Sequence, residues 1–496
     1  MKLALIILAV ASILEILLWL PPIWKVSHKL SYPLVTVVVG SSIAIFILHP
    51  RLWSVVLLII GLYRGINLCR IIKARMHEKY LKRVTQLTSL WLMVYQLLVL
   101  LILQIMQFIW VHYNYGWLPI ASLQFAIALM LILSLRSQLH KTRNLESSYT
   151  GADQDLPTLS VAIPARNETD DLEACLRTLL DNTYPKLEIL VLDDCSQNTR
   201  TPEIIRSFAH DGVRFIAGTE PDGTWLAKNY AYERLSEEAN GDVILFCGVD
   251  TRFTPGALRN LVNAMLESNR TMISVMPLNM NFSPLTAIVQ PLRYAWELAL
   301  PRNIFHRPAV LSTCWIVRKE ELSHSGSFKA VSRAIVPESY FARIASVNSK
   351  YAFVRSIDVM SYKSFSEQKS TAIRTRYPQL HRRPEQVAAV AFGSVFFLIS
   401  PFVLFGFMVA ARAWLAAGIT ALNCIGLLSL YGKIVNVTYR RSIVYAPLLM
   451  PAAIAYDLAL MHYSMLKYEF SKVVWKGRNI CVPVMHVVPS LPKSRQ

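Results

Sequence analysis

The sequence predicts an α/β domain, a mostly parallel sheet covered by helices on both faces, inserted between two blocks of transmembrane helices. Three observations predict it. Long apolar runs fill both ends of the chain, short β-like runs alternate with helical patterns in the middle, and polar clusters recur where those strands would end. Of the 496 residues, 54% are hydrophobic and only 17% are charged. With a mean hydropathy of +0.37, the chain is too apolar for a soluble protein of this size. The net charge of +19 raises nucleic acid as a partner. The basic residues, however, flank apolar runs, as in RIIKARMHEKYLKR (Arg70–Arg83), and the positive-inside rule explains that placement with fewer assumptions. No nucleic-acid partner is expected. The seven cysteines show no CxxC spacing, which argues against a disulfide framework or zinc site and fits a reducing cytosolic face.

Residues 1–140 hold five runs near the roughly 20 residues needed to cross a bilayer: Leu3–Leu20, Pro33–Leu48, Leu52–Leu68, Leu90–Val111 and Trp117–Leu135. The first lacks a small-residue cleavage site and reads as an anchor. Charge places Arg70–Arg83 and Arg136–Arg143 in the cytosol and the uncharged His112–Gly116 outside, so five spans put the N-terminus outside.

Residues 141–385 change character, with shorter apolar runs and more Asn, Asp, Gly and Pro. The expected strands are Leu159–Ile163, Leu187–Leu192, Val213–Ala217, Val243–Phe246 and Met272–Met276. Between the first two, Asp170–Asn182 carries Leu172, Leu176, Leu179 and Leu180 on one helical face, with acidic residues in its first turn where the helix dipole favours them. Thr201-Pro202 and Thr254-Pro255 each read as an N-cap followed by proline at the first helical position. Such alternation gives a parallel sheet, and ligands bind beyond the carboxyl ends of its strands.

Residues 386–496 begin with the apolar runs Val387–Ala411, Trp414–Leu430 and Ile443–Met465. Three full crossings would export the basic stretch WKGR (Trp475–Arg478), so Ile443–Met465 is expected to be re-entrant or interfacial. Asp457 and His462 in that run support the same expectation.

Four polar clusters fall at expected strand ends: AIPARNE (Ala162–Glu168), LDDCS (Leu192–Ser196), GTWLAKN (Gly223–Asn229) and the CGVDT turn within LFCGVDTRF (Leu245–Phe253). In this order they resemble the family 2 glycosyltransferases of the GT-A, nucleotide-diphospho-sugar transferase fold. The membrane-bound branch acting on lipids, including ceramide glucosyltransferases and hopene-associated and carotenoid glycosyltransferases, is most similar. STCWIVRKEEL (Ser312–Leu322), RTRYPQLHRR (Arg374–Arg383) and WKGR extend the resemblance over roughly residues 157 to 480. It implies an inverting transferase that moves a sugar from a nucleotide-diphosphate donor, UDP-linked, to a lipid acceptor. The enzyme domain would face the cytosol at a bacterial cell membrane.

The resemblance also assigns residues. Pro164, Arg166 and Glu168 fall in the first donor-binding segment. Asp193 and Asp194 would accept hydrogen bonds from the donor's base or ribose; the plain alternative is a turn or capping pair. Lys228 would offset diphosphate charge, with Trp225 shaping the pocket, although a lone helical lysine is usually just solvated. Asp250 would hold Mg2+ or Mn2+ on the diphosphate. The acidic turn usually carries a second carboxylate two positions earlier, where Gly248 stands here, so metal binding is expected to be weakened. Glu338, in IVPESYFA (Ile335–Ala342), takes the position of the general base, with Pro337 replacing a usual acidic neighbour. Gln379 and Arg382 match a donor-binding segment whose following tryptophan is replaced by Arg383. Asn281–Phe305, with Leu285, Ile288, Val289, Leu292 and Trp296 on one face, is either an interfacial helix beside the acceptor entrance or ordinary core packing.

A second reading comes from the departures at Gly248, Pro337, Arg383, Ala227 and Asn198: a degenerate relative that binds nucleotide sugar or lipid as a partner subunit without catalysis. A transporter built on the N-terminal spans has little support, since no repeat is visible and intramembrane charges are few.

Overall fold

The computed structural model describes residues 2–15, 24–50, 52–76, 92–93, 95–104, 116–142, 152–299, 308–440, 443–470 and 473–480. The chain divides into two compact units. One comprises Met1–Phe125 with Arg382–Ala421, the other Ala126–His381 with Leu422–Gln496.

In the first unit, helices Lys2–Glu15, Trp24–Leu48 and Leu52–Met76 pack through Leu8, Val38, Ile45 and Leu57. Gln124 donates to the Phe396 carbonyl at 2.8 Å and to Ser400 Oγ at 2.8 Å. This satisfies backbone freed by a π-helical turn over Val395–Ile399. Among the described residues, three helices are long and apolar enough to cross a membrane: Trp117–His140, Pro384–Ala410 and Trp414–Tyr439. The other N-terminal apolar helices are shorter, Pro33–Leu48, Trp53–Cys69 and Tyr95–Gln104. Parts of the expected runs Leu3–Leu20 and Leu90–Val111 lie outside the described residues.

The second unit is built on an eight-stranded sheet. Its strands are β1 (Leu159–Ala165), β2 (Leu187–Asp193), β3 (Val213–Ala217), β4 (Val243–Cys247), β5 (Thr251–Phe253), β6 (Met272–Asn279), β7 (Cys314–Arg318) and β8 (Tyr351–Ser361). They lie in the order β3-β2-β1-β4-β7-β6-β8-β5. All five expected strands are present. The sheet is mixed, because β7 runs antiparallel to β4 and β6, and β5 antiparallel to β8. Both reversed strands escape a reading by apolar run, one being only three residues long and the other embedded in the charged segment STCWIVRKEEL.

Successive strand residues point to opposite faces, and both faces are covered. Val161, Ile163, Val191 and Leu245 meet Leu172, Leu176, Leu258 and Leu261 from helices Asp170–Leu180 and Ala257–Glu267. Ala162, Leu190, Ile244 and Phe246 meet Tyr232, Leu235 and Phe341 from helices Ala227–Glu238 and Glu338–Val347. The two Thr-Pro pairs do not cap as expected. Thr201 lies inside helix Arg200–Ser207, its N–H accepted by Asn198 Oδ1 at 3.1 Å. Helix Ala257–Glu267 starts after Gly256, which has a left-handed φ of 87°.

The register pairs Ala165 with Asp193, Cys247 with Cys314, and Ser361 with both Asn279 and Thr251. The carboxyl ends of the forward strands and the amino ends of β5 and β7 therefore share one rim. Beside the sheet, helices Pro284–Ala299, Phe365–Gln379 and Met450–Phe470 pack through Val289, Ala372 and Leu460. Asp457 accepts from Trp296 Nε1 at 3.1 Å and pairs with Arg376, so this carboxylate serves helix packing. A hairpin of β9 (Val474–Trp475) and β10 (Arg478–Asn479) follows.

Candidate active site

The rim opens into a cavity of about 710 Å³. The turn after β4 supplies Asp250. Gly248 N–H donates to the Thr313 carbonyl ahead of β7 at 3.1 Å, and Tyr362 N–H donates to the Asp250 carbonyl at 3.0 Å. The turn is thereby tied to the neighbouring strands. The Asp250 carboxylate faces Lys363 Nζ at 3.3 Å and accepts from Ser361 Oγ at 3.3 Å. A Cβ at Gly248 would lie 2.6 Å from Asp250 Oδ1, so glycine here leaves the space that this carboxylate fills.

Glu338 opens its helix directly after Pro337. It is only 1% exposed, lines the cavity, and its Oε2 is buried without a hydrogen-bond partner. Buried polar atoms are nearly always paired, so an unpaired carboxylate oxygen facing a cavity marks a place for a ligand's donor group. The helix N-terminus favours its negative charge.

Cations surround these acids. Burial pushes the Lys228 ammonium below its usual range, opposed by the charge of Glu338, and likewise lowers Arg293. Arg374 is brought down to about 10 by burial, with Arg293 adding repulsion. Arg374 comes from helix Phe365–Gln379, which Ser364 and Glu367 begin with a reciprocal capping box. Residues 367, 370, 371, 374, 375 and 379 of that helix line the cavity at helical spacing. The Arg374 guanidinium lies 5.2 Å from the centre of the Trp475 ring.

The β9–β10 hairpin closes one wall. Arg478 donates to Asp194 Oδ2 at 2.5 Å and reaches Glu220 at 2.7 Å. Lys476 pairs with Glu168 and donates to the Arg166 carbonyl at 2.8 Å. Burial, with Arg166 nearby, pushes Lys476 down to about 8. Burial raises the pKa of Asp194, and Arg478 opposes that rise.

Of the residues singled out in the sequence, Pro164, Glu168, Trp225, Lys228, Asp250, Glu338 and Gln379 line the cavity. Asp194 stands one layer back, behind Arg478. Arg166 is spent on the backbone, donating to the carbonyls of Asp194 at 2.5 Å and Cys195 at 2.8 Å. Asp193 accepts from Ser196 N–H at 3.2 Å, the turn-capping role named as its plain alternative. Arg382 is not among the lining residues. Helix Phe365–Gln379 ends before it, and its backbone turns left-handed at φ 52°. Sequence reasoning passed over Arg293, Lys363, Arg374, Lys476 and Arg478 as site residues. The motif RTRYPQLHRR and its helical spacing were the available signals for Arg374.

The donor set is a poor match for a divalent cation. Among the described residues no group of three His, Cys, Asp or Glu side chains could hold a metal ion. The one carboxylate placed for it, Asp250, is already engaged by an ammonium group, whereas hard cations seek several oxygen ligands.

Residues 160–319 match the family profile described as "Glycosyl transferase family 2". The glycosyltransferase AglE of Haloferax volcanii is 39% identical over 85 residues, 16% of this chain and 28% of that protein. The 4,4'-diaponeurosporenoate glycosyltransferase of Staphylococcus haemolyticus is 29% identical over 129 residues, 26% of this chain and 34% of that protein. The matches thus span about a third or less of these relatives' length. Among solved structures, the mannosyltransferase PcManGT from Pyrobaculum calidifontis, in complex with GDP-Man and Mn2+, superposes with a TM-score of 0.42 at 14% identity. That superposition covers 71% of this chain and 97% of the other. TarS 1-349 of S. aureus in complex with UDP-GlcNAc gives 0.32 at 15% identity, covering 63% and 91%.

Proposed function

We propose that this glycosyltransferase, whose α/β domain belongs to glycosyl transferase family 2, transfers a sugar from a nucleoside-diphosphate donor to a lipid hydroxyl at the cytosolic face of a membrane. The observation that carries the reading is Glu338, a buried carboxylate with an unpaired oxygen, lining the same cavity as Asp250, Lys228 and Trp225. Glu338 takes the proton of the acceptor hydroxyl, whose oxygen attacks the anomeric carbon. The bond from that carbon to the diphosphate breaks, and the nucleoside diphosphate leaves with the electron pair. A single displacement of this kind inverts the configuration.

Lys228, Arg293 and Arg374 face the leaving group's developing charge, and such pre-placed charges act most strongly where water is excluded. Trp225 and Trp475 supply apolar walls, and Gln379 is held by Glu297 at 3.3 Å. Three helices apolar enough to cross a membrane support a lipid acceptor. So do the exposed apolar side chains Leu285, Val444 and Leu448.

The test is release of UDP or GDP by detergent-solubilised protein given sugar nucleotides and a lipid extract. Glu338→Gln should lower turnover about 10²- to 10⁴-fold while nucleotide affinity stays within about twofold. Equal turnover in the variant overturns the assignment of Glu338. The degenerate reading finds support in the pairing of Arg478 and Lys476 with Asp194 and Glu168. It predicts nucleotide or lipid binding with no turnover in either protein.

A further inference from the structure

We infer that the donor's diphosphate is neutralised by this chain's own cations, with Lys363 standing on Asp250 where a divalent metal would otherwise bridge, so that donor binding needs no metal. This rests on the donor reading above.

Three independent observations carry it. The first is the Asp250–Lys363 pair at 3.3 Å, both side chains 16% exposed. An ammonium at that distance supplies the positive charge a metal would bring, and its remaining N–H groups are free in direction to reach phosphate oxygens. The second is Gly248. Any side chain there would displace the Asp250 carboxylate from its present position, because a Cβ would come within 2.6 Å of Oδ1. A second carboxylate at position 248 would thus require the Asp250 carboxylate to swing out of its pairing position with Lys363.

The third is the charge balance of the cavity. Glu168 and Glu220 are engaged by Lys476 and Arg478, and Glu367 is used in its capping box. Asp222 also lines the cavity, but it and Glu367 are exposed, so among the less exposed lining residues Lys228, Arg293 and Arg374 remain beside Glu338. Burial lowers all three cations, with Arg374 and Arg293 repelling Lys228, Arg293 repelling Arg374 and Arg376 repelling Arg293, and Arg293 Nε is buried without a hydrogen-bond partner. This excess at the less exposed end of the cavity is complementary to a diphosphate carrying two or more negative charges. Forked guanidinium groups suit its oxygens. A metal ion added to the same space would meet repulsion from every one of them.

The experiment is isothermal calorimetry of the full-length protein in detergent with UDP and GDP, in EDTA and then in excess Mn2+, with UMP and GMP as monophosphate controls. In EDTA, the affinity of the wild-type protein for its preferred diphosphate should stay within about threefold of its value in Mn2+. Lys363→Gln should weaken diphosphate binding at least about tenfold, as loss of one charge-assisted hydrogen bond does, with monophosphate binding little changed. Lys363→Arg should restore most of the loss, which a merely misfolded variant would not do. Binding that appears only with Mn2+ overturns this inference and leaves the donor reading intact. No binding of either diphosphate in any condition overturns both.

Discussion

Replacing Arg478 with methionine keeps much of the side chain's bulk and removes the charge that holds Asp194. The guanidinium serves two unequal carboxylates, Asp194 at 2.5 Å with its side chain 5% exposed and Glu220 at 2.7 Å with its side chain 62% exposed. Solvent screening limits the Glu220 contact to about 1 kcal/mol at most. Breaking a fully buried pair costs about 3–5 kcal/mol, because a charge is left uncompensated. Arg478 keeps some solvent contact and Asp194 can take up a proton, so a total loss of about 2–4 kcal/mol is expected. At roughly 2–4 °C per kcal/mol for a domain of this size, the melting midpoint should fall by about 5–15 °C.

The sign of the pH dependence follows from Asp194, whose pKa burial already raises against the pull of Arg478. Without Arg478 it rises further. A carboxyl whose folded pKa lies above its unfolded one stabilises the fold below the unfolded pKa, and that contribution is lost as pH rises through the folded pKa. The deficit of the variant should therefore be larger at pH 8 than at pH 5. Tryptophan-fluorescence melts at one scan rate, on detergent-solubilised protein, measure it. Adding Asp194→Asn should recover part of the loss, since a neutral amide is less costly to bury. Melting within about 1 °C of wild type at both pH values, with no coupling in the double variant, would refute the reasoning.

Asp457→Asn removes the partner of Arg376, itself 9% exposed, and weakens the contact with Trp296. A loss of about 2–4 kcal/mol should appear in the same melts while nucleotide affinity is unaffected. Lys476, brought down to about 8, is cationic below that pH and neutral above it. Nucleoside-diphosphate affinity measured by calorimetry should consequently fall about 3- to 10-fold between pH 7 and 9, and Lys476→Arg should flatten that profile.

The central strands were legible because residues such as Val161, Ile163 and Val191 form short apolar runs closed by polar turns. The rim could be located for the same reason. β8 hid behind Arg355 and Asp358, which a half-buried strand tolerates but which break an apolar run. Asp250, Lys228 and Glu338 were visible as residue types at motif positions. Their shared cavity was not, since Lys228 lies 22 positions before Asp250 and Glu338 lies 88 after it, and only folding brings them together. Lys363 was invisible for a related reason, and WKGR was visible as a motif but not its pairing of Arg478 with Asp194, because a cation acquires meaning from the acid opposite it. The helix that carries Gln379 stops there, three residues before Arg382.

The hairpin that walls the cavity has a consequence for biogenesis. Arg166 and Lys476 are in direct contact although 310 positions separate them, and long-range contacts of this kind form late. A nascent chain that has reached only the apolar helices 384–439 holds the sheet but not this wall. The cavity is thus completed only once residues 474–479, the last strands of the described chain, have been made.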